Sequence, residues 1–285
     1  MLRPTTLGGQ GTLGYCGMPE NPVVAKMMLH TWEEPCLSGT RGSGAVFFSG
    51  CNLRCAYCQN SQISHGGFGK ELTIDSLRQG MKSLLAQGAH NLNLVTPSHF
   101  TRTIGCALDG WRPPKPVVYN SGGYDSVESL TELDGMIDIY LPDLKYIDGE
   151  TANLYSGAKD YFSVASAALT EMHRQVGPPI VDRDGLMISG LMVRHLVLPG
   201  QHKASVRILQ WVRDNLPGAW ISLMCQYIPR HLACKHPALN RRITRYEYDK
   251  VLNALHDFGL TQGYTQERTA AKADYIPDFD LQGVP

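Results

Sequence analysis

From Ala45 onward, short apolar runs recur along the chain, each followed by a loop and then by apolar residues at helical spacing. Ala45–Phe48, Leu92–Val95, Pro116–Tyr119, Ile137–Leu141, Met192–Leu198 and Trp220–Met224 are rich in Val, Ile, Leu and Phe and too brief for helices. That pattern predicts buried parallel strands. Between them, Ile74, Leu77, Met81, Leu84 and Leu85 form one helical stripe, with Thr73 placed to cap it. Tyr161, Ala165, Ala168, Met172 and Val176 form a second stripe, and Val206, Leu209 and Val212 a third. Thr244 and Glu247 make a capping-box pattern ahead of Tyr248, Val251, Leu252, Leu255 and Phe258, with Gly259 as the stop. Asp184-Gly185, between Ile180-Val181 and Leu186-Met187, predicts a small hairpin inserted before the fifth strand. Six strands alternating with helices imply a parallel sheet with right-handed crossovers. Alternation alone does not separate an open doubly wound sheet from a barrel.

Residues 1–44 break the pattern. They are rich in Gly and Pro and read as an irregular N-terminal segment, with His30 to Glu34 packing as a short helix against the core. Residues 45–285 then form the α/β unit and a C-terminal extension. The chain has 285 residues, 43% of them hydrophobic, and a formal net charge of zero. This length supports a large buried core. The balanced charge argues against a broad nucleic-acid footprint. No apolar run reaches membrane-spanning length, and Met1-Leu2-Arg3-Pro4-Thr5 lacks the apolar region of a signal peptide. A reducing, cytoplasmic setting is expected.

The chemistry is concentrated in Phe47 to Asn60. Cys51, Cys55 and Cys58 stand at C-x3-C-x2-C spacing directly after the first apolar run. Three thiolates on one tight loop can hold three irons of a cubane cluster. The next cysteine is Cys106, so no fourth thiolate follows at matching spacing, and one iron is expected to lack a protein ligand. Structural zinc on Cys51, Cys55, Cys58 and His65 competes with this reading. Against it, His65 stands in a loop with Gly66, Gly67 and Gly69 and has no second close-spaced ligand pair beside it. A disulfide framework fits neither the length nor the start of the chain. Cys16 and Cys36 read as free or structural thiols, as do Cys225 and Cys234.

The stretch Ser49-Gly50-Cys51-Asn52-Leu53-Arg54-Cys55-Ala56-Tyr57-Cys58 resembles the cluster loop of the radical S-adenosylmethionine superfamily. The longer run from His30-Thr31-Trp32-Glu33-Glu34-Pro35-Cys36 through Gly39-Thr40-Arg41-Gly42-Ser43-Gly44 to Gln59-Asn60 is similar to proteins related to pyruvate formate-lyase activating enzyme. The resemblance implies a partial (β/α)6 barrel and a [4Fe–4S] cluster on the three cysteines. It also implies S-adenosylmethionine on the open iron, and Tyr57 as the aromatic before the third cysteine. Reductive cleavage of the sulfonium would then give a 5′-deoxyadenosyl radical that abstracts hydrogen. A glycyl radical enzyme is the implied partner, with another peptide or a small metabolite as alternatives. A low-potential donor of flavodoxin or ferredoxin type would supply the electron. A non-catalytic iron–sulfur electron carrier is the reading from a different class.

Ligands of parallel α/β folds gather at the C-terminal ends of strands, so the polar residues there are the remaining candidates. Strand two ends at Thr96, where relatives place a Gly-Gly-Glu-type segment that receives the cofactor amino group. This chain departs from that form, leaving Thr96, nearby backbone or another element for the role. Strand three ends in Asn120-Ser121-Gly122-Gly123, whose small residues allow close approach to the backbone. Asp143 and Lys145 at strand four are two apart on extended chain and point the same way. They read either as a structural ion pair at the rim or as cofactor contacts; their similarity to the Asp-Leu-Lys segment of the activating enzymes implies that Lys145 meets the cofactor carboxylate while Asp143 orients it or binds a cation. Within strand five, Arg194 or His195 should face inward, since a charge in an apolar strand requires a partner; His195 would reach a ribose or carboxylate, or else be a core histidine. Gln226, Tyr227 and the Gly263-to-Glu267 segment read as substrate-side elements.

Overall fold

A computed structural model describes residues 14–266 and 277–285. Its strands in chain order are β1 (Val23–His30), β2 (Ser43–Phe48), β3 (Lys70–Glu71), β4 (Leu92–Val95), β5 (Val117–Ser121), β6 (Ile139–Pro142), β7 (Ile180–Val181), β8 (Met187–Leu196), β9 (Trp220–Met224) and β10 (Gly263–Thr265). All but β7 lie side by side in the order β10-β9-β8-β6-β5-β4-β2-β1-β3, and β7 pairs with β8. The run from β2 through β4, β5, β6, β8 and β9 to β10 is parallel. β1, β3 and β7 pair antiparallel. The fold is mixed α/β and the sheet is not closed: β10 and β3 are its two ends.

Each of the six predicted strands is present. The Asp184-Gly185 hairpin is also formed, with β8 serving both as its second arm and as the fifth parallel strand. The stripes at 74–86, 161–176 and 202–215 are helices, and Thr73 Oγ1 caps the first by accepting from the Ser76 amide at 3.1 Å. β1 was not anticipated. It lies inside the segment expected to be irregular, and the expected helix at 30–34 is instead the end of β1 and a turn. The helix begins later, at Pro35 and runs to Ser38. Proline has no N–H to donate, so it opens a helix readily and sits poorly inside one. The Gly263-to-Glu267 segment supplies the edge strand β10, and Glu267 lies outside the described residues.

Period-two alternation divides the sheet residues between two faces. Tyr119, Tyr140 and Val193 join Leu77, Met81, Ile104, Met172 and Leu209 of the covering helices in the main core. The other face carries Val118, Ile139, Leu141 and Met192, packed on Cys36 and Leu37 of the 35–38 helix. That short helix plugs one end of the inner face and leaves room near the C-terminal ends of the strands. Residues 277–285 run along β1: the Leu281 amide donates to the Ala25 carbonyl at 3.1 Å and the Met27 amide to the Gln282 carbonyl at 2.9 Å. Phe279 meets Phe47 edge-on at 5.6 Å, and the buried Lys26 ammonium donates to the Asp278 carbonyl and the Asp280 carboxylate.

Glu247 fastens the last helix (Arg245–Asp257) to the turn after β8. Its carboxylate accepts from the Thr244 amide at 2.7 Å, completing the capping box, and from the Gly200 amide at 2.6 Å and Arg241 at 2.6 and 2.8 Å. The Arg241 hydrogen bonds, aided by the backbone donors, outweigh burial and hold this carboxyl far below its ordinary value near 4.5. A depressed carboxyl stabilises the fold fully above that ordinary value and loses its contribution as the pH falls below it. Glu247→Gln should therefore lower stability at pH 7 by about 1–3 kcal/mol. It should also flatten the loss of stability of the native sequence between neutral and acidic pH. Urea denaturation across that range checks both.

Candidate iron–sulfur and cofactor site

The cysteine loop leaves β2 and is held on every side. Gly50, at φ +82°, has no room for a side chain, since a Cβ there would stand 2.3 Å from Met18 Cγ and 3.0 Å from the Cys16 carbonyl. Its amide donates to the Ile63 carbonyl at 2.9 Å. Asn52 donates to the Tyr124 carbonyl at 2.7 Å. Ala56 is gripped from both sides, its amide donating to the Tyr155 carbonyl and its carbonyl accepting from the Leu232 amide, each at 2.8 Å. Arg54 takes φ +53°, the left-handed region, which turns the chain between the first two cysteines.

Each of the three sulfurs faces a donor. Ser156 Oγ donates to Cys55 Sγ at 3.0 Å, Ser64 Oγ to Cys58 Sγ at 3.2 Å, and the Leu53 amide to Cys51 Sγ at 3.4 Å. Such donors stabilise negative charge on sulfur and tune a cluster held there. Without a metal, burial and the neighbouring sulfurs push the Cys51 and Cys58 thiols up, Cys58 to about 12. A cationic centre is what would favour thiolates in this place. His65 is engaged elsewhere: Nδ1 contacts Ser64 Oγ at 2.9 Å and Nε2 the Arg54 carbonyl at 3.1 Å. Among the described residues no three His, Cys, Asp or Glu side chains converge on a single ion. The donor set thus fits a multi-iron cluster better than a zinc site. None of the eight cysteines is in a disulfide. Cys16 and Cys36 are buried in separate apolar clusters.

Beside Cys55 and Cys58 opens a cavity of about 240 Å³. Phe47, Val95 and Asn120 line it from one row of the sheet, being register partners across β2, β4 and β5. Asp143, just past β6, bridges in parallel to Arg194 of β8, and both line the cavity with Lys145 and Tyr57. The charges form one network. Asp143 Oδ1 accepts from Arg194 Nε at 2.9 Å while Oδ2 accepts a very short hydrogen bond from Lys145. Arg194 continues to Asn120 Oδ1 at 2.6 Å and to Glu33 Oε2 at 3.4 Å. Burial pushes the Asp143 carboxyl up, but the Arg194 and Lys145 charges overcome it and hold the group below its ordinary value. Burial likewise opposes the Lys145 and Arg194 charges, and Asp143 holds both above their usual ranges.

Tyr57, Asn120, Asp143 and Lys145 are thus brought together at the cavity with Cys55 and Cys58. The other sequence candidates lie elsewhere. Ser121 donates to the buried Asp125 at 2.7 Å. Thr96, at φ +60°, does not line the cavity; its amide donates to the Asn120 carbonyl at 2.8 Å. His195 falls on the opposite face from Arg194, Nδ1 against the Leu144 carbonyl at 2.6 Å and Nε2 against Ser205 at 2.8 Å. Burial lowers its pKa to about 4, as suits a neutral core imidazole. The glycines after β5 give their room to protein: a Cβ on Gly123 would stand 2.2 Å from the Asp143 carbonyl, and one on Gly122 2.9 Å from Leu53. Glu33, on the turn after β1, was missed; adjacent carboxylates at Glu33-Glu34 ahead of a proline were the available signal. Gln226 and Tyr227 line the cavity on the β9 side.

These features define an α/β protein with a cysteine-held cluster loop at the C-terminal ends of its parallel strands. Residues 38–97 match the family described as 4Fe-4S single cluster domain. Over 258 residues the chain is 30% identical to uncharacterized protein MJ0674 of Methanocaldococcus jannaschii, covering 87% of this chain and 70% of that one. The chain belongs to the same family as that protein. Its fold is similar to that of Streptococcus suis SuiB, solved bound to the precursor peptide SuiA (TM-score 0.52, 8% identity) and without it (TM-score 0.51, 8% identity). Each match covers 76% of this chain, which spans 46–47% of SuiB.

The Asp143 network sets a stability test. Asp143→Asn removes the counter-charge shared by Lys145 and Arg194 in a half-buried place, leaving Arg194 only Glu33. Loss of about 1–3 kcal/mol is expected in urea denaturation.

Proposed function

We propose that this chain is a radical S-adenosylmethionine enzyme, with a [4Fe–4S] cluster on Cys51, Cys55 and Cys58 and the cofactor in the adjoining cavity. The observation that carries the reading is the shared wall: Cys55 and Cys58 line the same 240 Å³ space as Asp143, Lys145 and Arg194. Thiolates on one side and a charged network on the other suit a ligand carrying both a sulfonium and an amino-acid head group. The 4Fe-4S family match over 38–97, the resemblance of the cysteine loop and the shared fold with SuiB support it. In this reading the parallel strands β2, β4, β5, β6, β8 and β9 make up the partial barrel.

A reduced cluster held by Cys51, Cys55 and Cys58 would supply one electron to the sulfonium of the cofactor, whose S–C5′ cleavage would yield methionine and a 5′-deoxyadenosyl radical. Around that chemistry Lys145 and Arg194 meet the carboxylate of the head group, and Asp143 fixes both cations in place. Ser156, Ser64 and the Leu53 amide support the three sulfurs. Phe47, Val95, Leu196 and Met224 are the apolar wall that keeps water from the radical. The electron comes from a low-potential donor of flavodoxin or ferredoxin type. The hydrogen comes from a substrate, and the resemblance to activating enzymes favours a glycine Cα–H of a glycyl radical enzyme. SuiB was solved with a precursor peptide, and that likeness of fold keeps peptide modification as the second reading.

Anaerobically reconstituted, reduced protein should release 5′-deoxyadenosine from S-adenosylmethionine, and Cys55→Ala should lose the cluster iron and the brown chromophore with it. No release from a fully loaded cluster points to an electron carrier. With a Cα-deuterated glycyl radical domain as partner, mass spectrometry should find deuterium in the released 5′-deoxyadenosine. Transfer only from another labelled peptide or metabolite assigns the second reading.

A further inference from the structure

One stretch of chain beside the cysteine loop differs in charge from the rest. Between Pro229 and Tyr246 stand Arg230, Lys235, Arg241, Arg242 and Arg245, with no Asp or Glu among them, in a chain whose formal charge is zero. Arg241 is answered by Glu247 and Arg245 by Asp249. Arg230 and Lys235 are exposed and have no acidic partner among the described residues. The stretch is built onto the loop. The Leu232 amide donates to the Ala56 carbonyl at 2.8 Å, and His236 meets Tyr155, whose carbonyl holds the Ala56 amide, edge-on at 5.3 Å.

A short path leads inward from this surface. The ring of the exposed His231 lies 4.3 Å from that of His65. His65 Nδ1 contacts Ser64 Oγ at 2.9 Å, and Ser64 Oγ donates to Cys58 Sγ at 3.2 Å. Ser64, His65 and His231 do not line the cofactor cavity, so solvent and sulfur are connected without crossing it. Arg54 adds a cation beside the path, donating to the His65 carbonyl at 3.3 Å. Electron transfer weakens steeply with distance, so a protein donor has to dock where the path to the cluster is short. Redox partners meet through small interfaces, and charge guides their encounter. We propose that the face carrying Arg230 and Lys235 docks an acidic one-electron carrier protein, which passes its electron to the cluster at His231. The centre of the carrier is oxidised by one electron and the cluster is reduced by one; no bond or proton changes hands. The inference rests on the function proposed above and places the partner that starts its reaction.

Stopped-flow absorbance of the anaerobically reconstituted full chain, mixed with a reduced acidic flavodoxin, tests it. At low ionic strength Arg230→Glu with Lys235→Glu should take up the electron about 10- to 100-fold more slowly than the native sequence. Added salt should slow the native sequence and not the variant. Lys82→Glu with Lys115→Glu has the same net charge, but places it around Trp111 and ahead of β5, at the opposite end of the strands from the cysteine loop. That control should match the native sequence. Photoreduced deazaflavin, a small uncharged reductant, should reduce all three clusters at one rate, and calorimetry should find weaker binding of oxidised flavodoxin to the first variant alone. Equal rates with flavodoxin for the native sequence and the first variant, equal slowing in both variants, or slowing with deazaflavin as well overturns the docking site. If the reversed pair fails to fold or load iron, Arg230→Gln with Lys235→Gln takes its place, with a loss of about 3- to 10-fold; failure of that pair too overturns the site. A native cluster that accepts the electron from flavodoxin yet releases no 5′-deoxyadenosine sinks the proposed function and leaves the docking site standing.

Discussion

An arginine in the middle of a buried strand has to be answered before the sheet can form around it. Arg194 is answered by Asp143 from the next strand, and the answer fixes geometry as well as charge. The two residues are bridged in parallel register, so the guanidinium and carboxylate arrive on the same face at the same level. Asp143 then holds Lys145, and Arg194 holds Asn120, which ties the ends of three parallel strands and the residues just beyond them into one polar layer. A buried ion cluster of this sort adds little net stability, because desolvation offsets most of its attraction. What it contributes is position: a set of charges held in one arrangement by their own mutual contacts.

The cysteine loop meets this layer from the other side, and its supports come from far apart in the chain. Ser156 reaches Cys55, and Tyr146 hydrogen-bonds both Ser156 and the Tyr57 hydroxyl beneath the cavity wall. The loop is therefore anchored through the segment that follows Lys145 as well as by β2. Anchoring of this kind pre-organises the loop and fixes where its sulfurs stand relative to the cavity.

Much of this was legible in the sequence, and the exceptions have physical reasons. The parallel strands announced themselves because both faces are covered and each reads as a short, mainly apolar run. The helix at 245–257 was legible from Thr244 and Glu247, whose capping is local. β1 was not: Lys26 and His30 interrupt its apolar run, and both are buried here through partners remote in sequence. Alternation correctly set Arg194 and His195 on opposite faces, but only the register with Asp143 decides which one turns inward. Ser121 and Thr96 were plausible from their place at strand ends, yet a side chain one position along turns to the other face. Glu33 could not be placed from spacing, because its position depends on how an antiparallel strand is added to the parallel set.

The strip of residues 277–285 lying on β1 has a consequence for the order of assembly. Lys26 and Asp280 are 254 positions apart, and their contact cannot form until all the intervening chain has been synthesised. Phe279 presses on Phe47, and both Phe47 and Pro277 border the cavity. During synthesis the parallel strands can pair progressively as they leave the ribosome, while the wall beside Phe47 stays incomplete until residues 277–280 have emerged. A nascent chain arrested short of residue 277 would lack Pro277 at the border of the cavity and the Phe279 ring that packs on Phe47.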